Sequence, residues 1–166
     1  AKITIIDCTM NDKEIKIAYT EYDSIQQLSS QDRELAEAAI KATSRSYAPY
    51  SRFNVGAAIR LDNGEIVSGS NQENAAYPSG LCAERTAMFY ASASHPENAM
   101  LSIAIAAGQN GVLLDSPATP CGACRQVMAE YQTKSGRPMS ILLVGAKKIW
   151  KFSKVDDILP FIFDSL

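Results

Sequence analysis

The side chains best suited to chemistry fall in two short segments, Cys82-Ala83-Glu84 and Pro120-Cys121-Gly122-Ala123-Cys124. Three cysteine thiolates and one water complete the tetrahedron that Zn²⁺ favours, and leave one position open for reaction. The spacing of Cys121 and Cys124 lets both sulfurs reach one ion from a single helical turn. Each segment is expected at a helix start, where partial positive charge and free N–H groups favour a thiolate. Glu84 follows Cys82 by two residues, which is about 200° around a regular helix. The pair converges only if Cys82 sits at the very start of the helix, where the chain is not yet wound. Gly80 just before it is consistent with that. A carboxylate beside an open zinc position can take a proton from one place and deliver it to another. Zinc with three thiolates has a net negative formal charge, so a nearby cation is needed to restore its pull on water. Arg85 is the first candidate and Arg125 the second.

Two blander readings compete. A closed structural zinc site needs a fourth protein ligand, from Cys8 or from His95, the single histidine. A Cys121–Cys124 redox pair would leave Cys82-Ala83-Glu84 without a purpose. His95, placed before Pro96, reads as a solvated helix cap, and Cys8 as a packed residue of an N-terminal hairpin.

These segments sit in a chain of 166 residues, 46% hydrophobic and 20% charged. That is the composition of one globular domain. A chain of this size buries roughly 70% of its unfolded surface and needs no covalent staples. The four cysteines therefore read as metal ligands or redox groups in a reducing compartment. The N-terminal residues lack a signal-peptide pattern, so a cytoplasmic location is expected. Sixteen basic residues against eighteen acidic ones leave a net charge of -2. This disfavours a nucleic-acid partner and a polybasic membrane anchor. No apolar run is long enough to span a bilayer.

Positioning elements follow from pattern. Residues 2–8 and 14–19 alternate as short strands around Asn11-Asp12, and 20–28 read as a connector. Residues 1–28 are thus expected to form an N-terminal extension, and 29–166 the zinc domain. Ser29 and Asp32 fit a capping box ahead of a helix that ends before Pro49. Residues 53–61 and 65–70 read as hairpin strands about Asp62-Asn63-Gly64. A helix over 82–94, a buried strand over 101–107 and a turn at Asn110-Gly111 follow. Pro120 opens a helix running to about Lys134, 139–145 form a further strand, and a short helix lies near 155–159. The pattern predicts an α/β fold with a mixed sheet covered by helices on both faces.

Together these segments resemble the small cytidine deaminases of the three-cysteine zinc type. The likeness rests on four motifs in order over roughly residues 30 to 166. They are Tyr47-Ala-Pro-Tyr-Ser-Arg-Phe-Asn-Val-Gly-Ala-Ala58, Gly69-Ser-Asn-Gln-Glu-Asn-Ala-Ala-Tyr77, Cys82-Ala-Glu-Arg-Thr-Ala87 and Thr119-Pro-Cys-Gly-Ala-Cys-Arg-Gln-Val127. The resemblance implies a three-layer α-β-α sandwich with a roughly five-stranded mixed sheet. It implies one Zn²⁺ per subunit on Cys82, Cys121 and Cys124, with Glu84 as the proton shuttle. It places Phe53 against a pyrimidine ring, Asn71 and Glu73 on the ribose, mainly its 3′-hydroxyl, and Tyr77 in the same pocket. Backbone groups near Ala83 and Thr119 would read the base edge. It also implies a homotetramer in which an aromatic near the C-terminus, Phe163 or else Phe161, enters a neighbouring subunit's site.

The implied reaction is hydrolytic deamination of cytidine and 2′-deoxycytidine in pyrimidine salvage. A blasticidin-type deaminase and a non-catalytic zinc-stabilised nucleoside-binding subunit are the alternatives. The residues agree in kind with a nucleoside. Asn71 and Glu73 are one residue apart, so in an extended loop they face the same side. A carboxylate there accepts from hydroxyls and repels phosphate. The chain departs from the family pattern at Asn54, where proline is usual, and at Thr119, where serine is usual.

Overall fold

The computed structural model describes residues 11–164. Seven strands form one sheet: β1 (Thr20–Tyr22), β2 (Phe53–Leu61), β3 (Ile66–Ser70), β4 (Met100–Gln109), β5 (Val112–Leu113), β6 (Ser140–Val144) and β7 (Ile149–Phe152). The strand order is β1-β7-β6-β4-β2-β3, with β5 paired to β4. Three α-helices accompany it: α1 (Ser30–Ala42), α2 (Ala83–Ser94) and α3 (Gly122–Ser135). Five strands of the expected sandwich are therefore extended by two short ones, β1 and β5.

The pleat sorts side chains between two cores. In β4, Ile103 and Ile105 join Met88 of α2 and Met128 of α3, while Ala104 and Ala106 join Leu35, Ala36 and Ala39 of α1. In β6, Ile141 and Leu143 face α2 and α3, and Leu142 and Val144 face α1. This is the period-two alternation of a strand buried on both sides. β4 and β6 pair in parallel because α3 crosses between them. The other strand pairs are antiparallel.

Two glycines set the distance of the helices from the sheet. A Cβ on Gly56 would lie 2.2 Å from the Ala39 carbonyl oxygen of α1, and one on Gly69 would lie 2.5 Å from the Ala87 nitrogen of α2. Gly69 thereby lets α2 lie directly on β3, which fixes where the start of α2 meets the rest of the site.

The boundaries of the long elements fall within a few residues of the expected ones, and the departures have physical causes. Residues 14–19 form no strand, and Ile15, Ile17 and Tyr19 are exposed. The strand instead lies at Thr20–Tyr22, inside the expected connector, opposite Ile149–Lys151 of β7. β7 ends at Phe152, so residues before Tyr19 run past its end and find no ladder partner. Tyr19 stacks on Phe152 at 5.3 Å, and Trp150 Nε1 donates to Glu21 at 2.7 Å, which holds this register. The expected strand at 2–8 lies outside the described residues.

Half of the expected capping box forms. Ser29 Oγ accepts from the Asp32 N–H at 3.2 Å, but the Asp32 carboxylate pairs with Lys151 of β7 rather than reaching back. Near the C-terminus the expected helix is a single 3-10 turn at Val155–Asp157. No helix among the described residues is long and apolar enough to cross a membrane.

Candidate metal centre and substrate cleft

The N-termini of α2 and α3 meet. Cys82 is the N-cap of α2 and Cys121 the N-cap of α3, both in extended backbone geometry. Neither sulfur is used to cap its own helix, so both remain available to a metal. Cys124 lies one turn into α3 and is fully buried, while Cys121 is exposed. The Cys82 and Cys121 sulfurs are 3.9 Å apart, and those of Cys121 and Cys124 are 3.4 Å apart. A tetrahedral Zn–S bond of about 2.3 Å separates its sulfurs by roughly 3.8 Å. The three sulfurs thus already stand close to the spacing zinc requires. Among the described residues no fourth histidine, cysteine or acidic ligand joins them.

His95 caps the far end of α2, where its Nδ1 lies 3.2 Å from Glu65. A helix of that length places it roughly 18 Å from Cys82, which removes it as a fourth ligand. Cys8 is outside the described residues.

Arg85 Nη2 donates to the Cys82 sulfur at 3.3 Å. Arg85 Nε is the one buried side-chain nitrogen or oxygen without a hydrogen-bond partner among the described residues. A cluster of anionic sulfurs is the environment that makes such burial tolerable. Arg125, the second candidate for this role, does something else. Its Nε donates to the Pro120 carbonyl and its Nη1 to the Ile158 carbonyl, both at 2.9 Å. It braces the loop before Cys121 against the C-terminal segment and makes no bond to sulfur.

The sulfurs share protons unequally. Cys82 is lowered to about 5, first by a hydrogen bond from Cys124 and then by Arg85. Cys124 is pushed up, chiefly by its bond to Cys82 and by burial. The cluster therefore already favours one thiolate, and a dication displaces the remaining protons.

Glu84, in the first turn of α2, is only 5% exposed. Burial pushes its carboxyl up, and the neighbouring Cys82 charge adds to this. The extended backbone at Cys82 is what allows residues 82 and 84 to share one side of the helix start.

Cys82 and Arg85 form one end of a cleft of about 540 Å³, whose walls also carry Tyr50, Ser51, Asn71 and Glu73. Asn71 is largely engaged by the scaffold. Its Oδ1 accepts from Val55 N–H and its Nδ2 donates to the Phe53 carbonyl, each at 2.8 Å. Glu73 accepts from the Ser51 hydroxyl and from the backbone N–H groups of Tyr50 (2.9 Å) and Ser51 (3.3 Å). These donors, the Ser51 hydroxyl first, hold its carboxyl below the usual carboxylate range.

Tyr77 also borders the cleft, 80% exposed, with its ring centroid 6.4 Å from that of Tyr50. Ala83 is buried beside Glu84. Ala83, Glu84, Phe53, Thr119 and Phe163 are not among the cleft-lining residues. Phe53 is half-buried at the start of β2, and Thr119 is exposed in the loop before Cys121. Phe163 is 66% exposed and Phe161 82%. The Phe163 backbone is clamped by the Gln126 amide, which donates to its carbonyl at 2.6 Å and accepts from its N–H at 3.2 Å.

Sequence reasoning did not single out Ser51 or Gln126. Both lie inside the quoted motifs, as polar residues whose presence neither core packing nor metal binding explains. That was the available signal.

Comparison with known proteins agrees with this geometry. Residues 29–136 match the family model for the cytidine and deoxycytidylate deaminase zinc-binding region. This chain belongs to that family. It is 41% identical over 123 residues to a cytidine deaminase of Sporosarcina psychrophila, covering 74% of this chain and 84% of the relative. It is 47% identical over 96 residues to one of Halalkalibacterium halodurans, covering 58% and 68% respectively. The crystal structure of a cytidine deaminase from Burkholderia pseudomallei superposes with a TM-score of 0.64 at 40% identity, covering 78% of this chain and 97% of that one. Family membership and the sulfur cluster together make this a zinc protein, with one ion per chain held by Cys82, Cys121 and Cys124.

Proposed function

We propose that this enzyme catalyses zinc-dependent hydrolytic deamination of cytidine and 2′-deoxycytidine, giving uridine or 2′-deoxyuridine and ammonia. One observation carries the reading: a three-sulfur cluster reaches a cleft of about 540 Å³ through Cys82, which lines it, and has a buried acidic side chain, Glu84, two residues on at the same helix start. When bound, zinc supplies a Lewis acid that brings the ionisation of water near neutrality.

The chain's own residues supply the rest. Glu84 takes one proton from the attacking water and gives it to N3 of the cytosine; as the C4–N4 bond breaks it takes the remaining proton of the C4 hydroxyl and gives it to the departing amine, which leaves as ammonia. Its burial suits that exchange, because desolvation pushes the carboxyl up from its ordinary range and makes it a better proton acceptor. Arg85 donates to the Cys82 sulfur and offsets the charge of the thiolates. Asn71 and Glu73 orient the ribose through its 3′-hydroxyl, and the ionised Glu73 disfavours a phosphorylated substrate. Tyr77 flanks the nucleoside from the cleft wall; Phe53 and the backbone near Ala83 and Thr119, which lie outside the cleft lining, are the further contacts that the family resemblance implies.

The test is the loss of cytidine absorbance and release of ammonia by zinc-loaded protein, with and without a chelator. Turnover abolished by chelation and restored by zinc is the expected result. Zinc-loaded protein inert on both nucleosides would reject the reading.

The same proposal includes a homotetramer with sites completed by a neighbour's Phe163. Exposed Tyr77, Phe89, Tyr90, Phe161 and Phe163 support it, as aromatic side chains available to a neighbouring chain. Sedimentation should give four chains, and Phe163→Ala should raise KM severalfold. A fully active monomer would count against shared sites. Free thiolates as ligands suit a reducing cytoplasm, where recovery of pyrimidine nucleosides is the role we assign.

A further inference from the structure

We infer that Ser51 is a positioning residue for sugar recognition: with the Tyr50 and Ser51 N–H groups it forms a three-donor cradle that leaves Glu73 a single open acceptor position for one sugar hydroxyl. This rests on the function proposed above and specifies how its sugar site is built.

A carboxylate offers roughly four acceptor sites, two on each oxygen. In this protein Oε2 accepts from both Tyr50 N–H and Ser51 N–H, and Oε1 accepts from the Ser51 hydroxyl. One site remains, on Oε1. Asn71 is used in the same way: one Nδ2 hydrogen and one Oδ1 lone pair go to Phe53 and Val55. One Nδ2 hydrogen therefore remains to be donated. A hydroxyl that accepts from Asn71 and donates to Glu73 uses both, and the pair has no further acceptor on Glu73 for a second hydroxyl.

The cradle is attached to the fold at both ends. Tyr47 N–H donates to the Asn71 carbonyl at 3.0 Å, and Glu73 N–H donates to the Tyr47 carbonyl at 2.8 Å. The Ser51 hydroxyl also accepts from the Phe53 N–H at 3.0 Å, immediately after Arg52, which has a φ of 55°. Ser51 thus joins the carboxylate that reads the sugar to the start of β2, which carries Phe53. The bond orients a carboxylate that faces the sugar rather than the reacting base, so its loss is expected in KM with kcat unchanged, the pattern of a lost uniform binding interaction.

The experiment compares Ser51→Ala and Ser51→Thr with the parent enzyme on cytidine and on 3′-deoxycytidine. Ser51 is exposed, so its truncation opens no void in the core. Ser51→Ala should raise KM for cytidine about tenfold, the size expected for losing a charge-assisted hydrogen bond. It should leave kcat and zinc content unchanged, and leave KM for 3′-deoxycytidine unaltered. Ser51→Thr, which keeps the hydroxyl, should restore KM to within about twofold. Equal KM increases on both nucleosides would overturn the inference, because they would assign Ser51 to the loop alone. An unchanged KM, or loss of zinc, would overturn it as well. A parent enzyme inert on cytidine would instead reject the function proposed above.

Discussion

Glu84→Gln is expected to retain one zinc per chain while losing about a thousandfold or more in kcat. In the proposed mechanism the carboxylate serves two proton movements, to N3 and to the departing amine, and positioned acid–base groups contribute roughly 10²–10⁴-fold. Glutamine has the same shape but cannot accept and return a proton. The side chain is buried at the first turn of α2, so an isosteric amide leaves the packing around Ala83 and Ala87 intact. Metal analysis and steady-state kinetics on one preparation check this. Near-parental turnover with bound zinc would remove Glu84 from the mechanism. Loss of zinc would show that the carboxylate acts through the metal centre's stability instead.

The second large effect concerns the metal as a folding element. Cys124→Ala should abolish zinc binding and turnover together, and should lower Tm by roughly 10 °C. Ligands binding only the folded chain stabilise it by about 4 kcal/mol at a thousand times their dissociation constant. For a domain of this size each kcal/mol is worth about 2–4 °C. Cys124 is fully buried, and its sulfur stands between the starts of α2 and α3. Chelation of the parent protein should reproduce most of the same shift, since the metal is common to both losses. Differential scanning calorimetry beside metal analysis measures it. Stoichiometric zinc in Cys124→Ala would exclude that sulfur as a ligand.

Both effects involve residues legible in the sequence, because their chemistry lies in side-chain type and short spacing. Cys121 and Cys124 are one turn apart in any helix beginning at Cys121. Cys82 and Glu84 share a side only at a helix start, and Gly80 just before Cys82 is consistent with such a start. The long strands were legible for a similar reason. β2, β4 and β6 are apolar runs whose alternate side chains pack on opposite faces. β7 was not, because four residues, one of them Lys151, carry too little periodicity to show. Its pairing with β1 depends on Trp150 meeting Glu21, a contact between residues distant in the chain.

By itself, then, the sequence determined the donor set and the layered architecture, and singled out Glu84 as the candidate acid–base residue, all of which follow from local composition and period. Tertiary structure decided what local pattern cannot. Two arginines follow the metal-binding cysteines, and only packing sends Arg85 to sulfur and Arg125 to backbone carbonyls. Asp32 satisfies Lys151 across the sheet instead of closing its own helix cap. Asn71 and Glu73 are spent largely on the 50–55 segment, and how much of each remains for a ligand depends on where that segment lies. A polar side chain has few hydrogen-bonding positions, and which partners take them is settled by distance in space, not by distance along the chain.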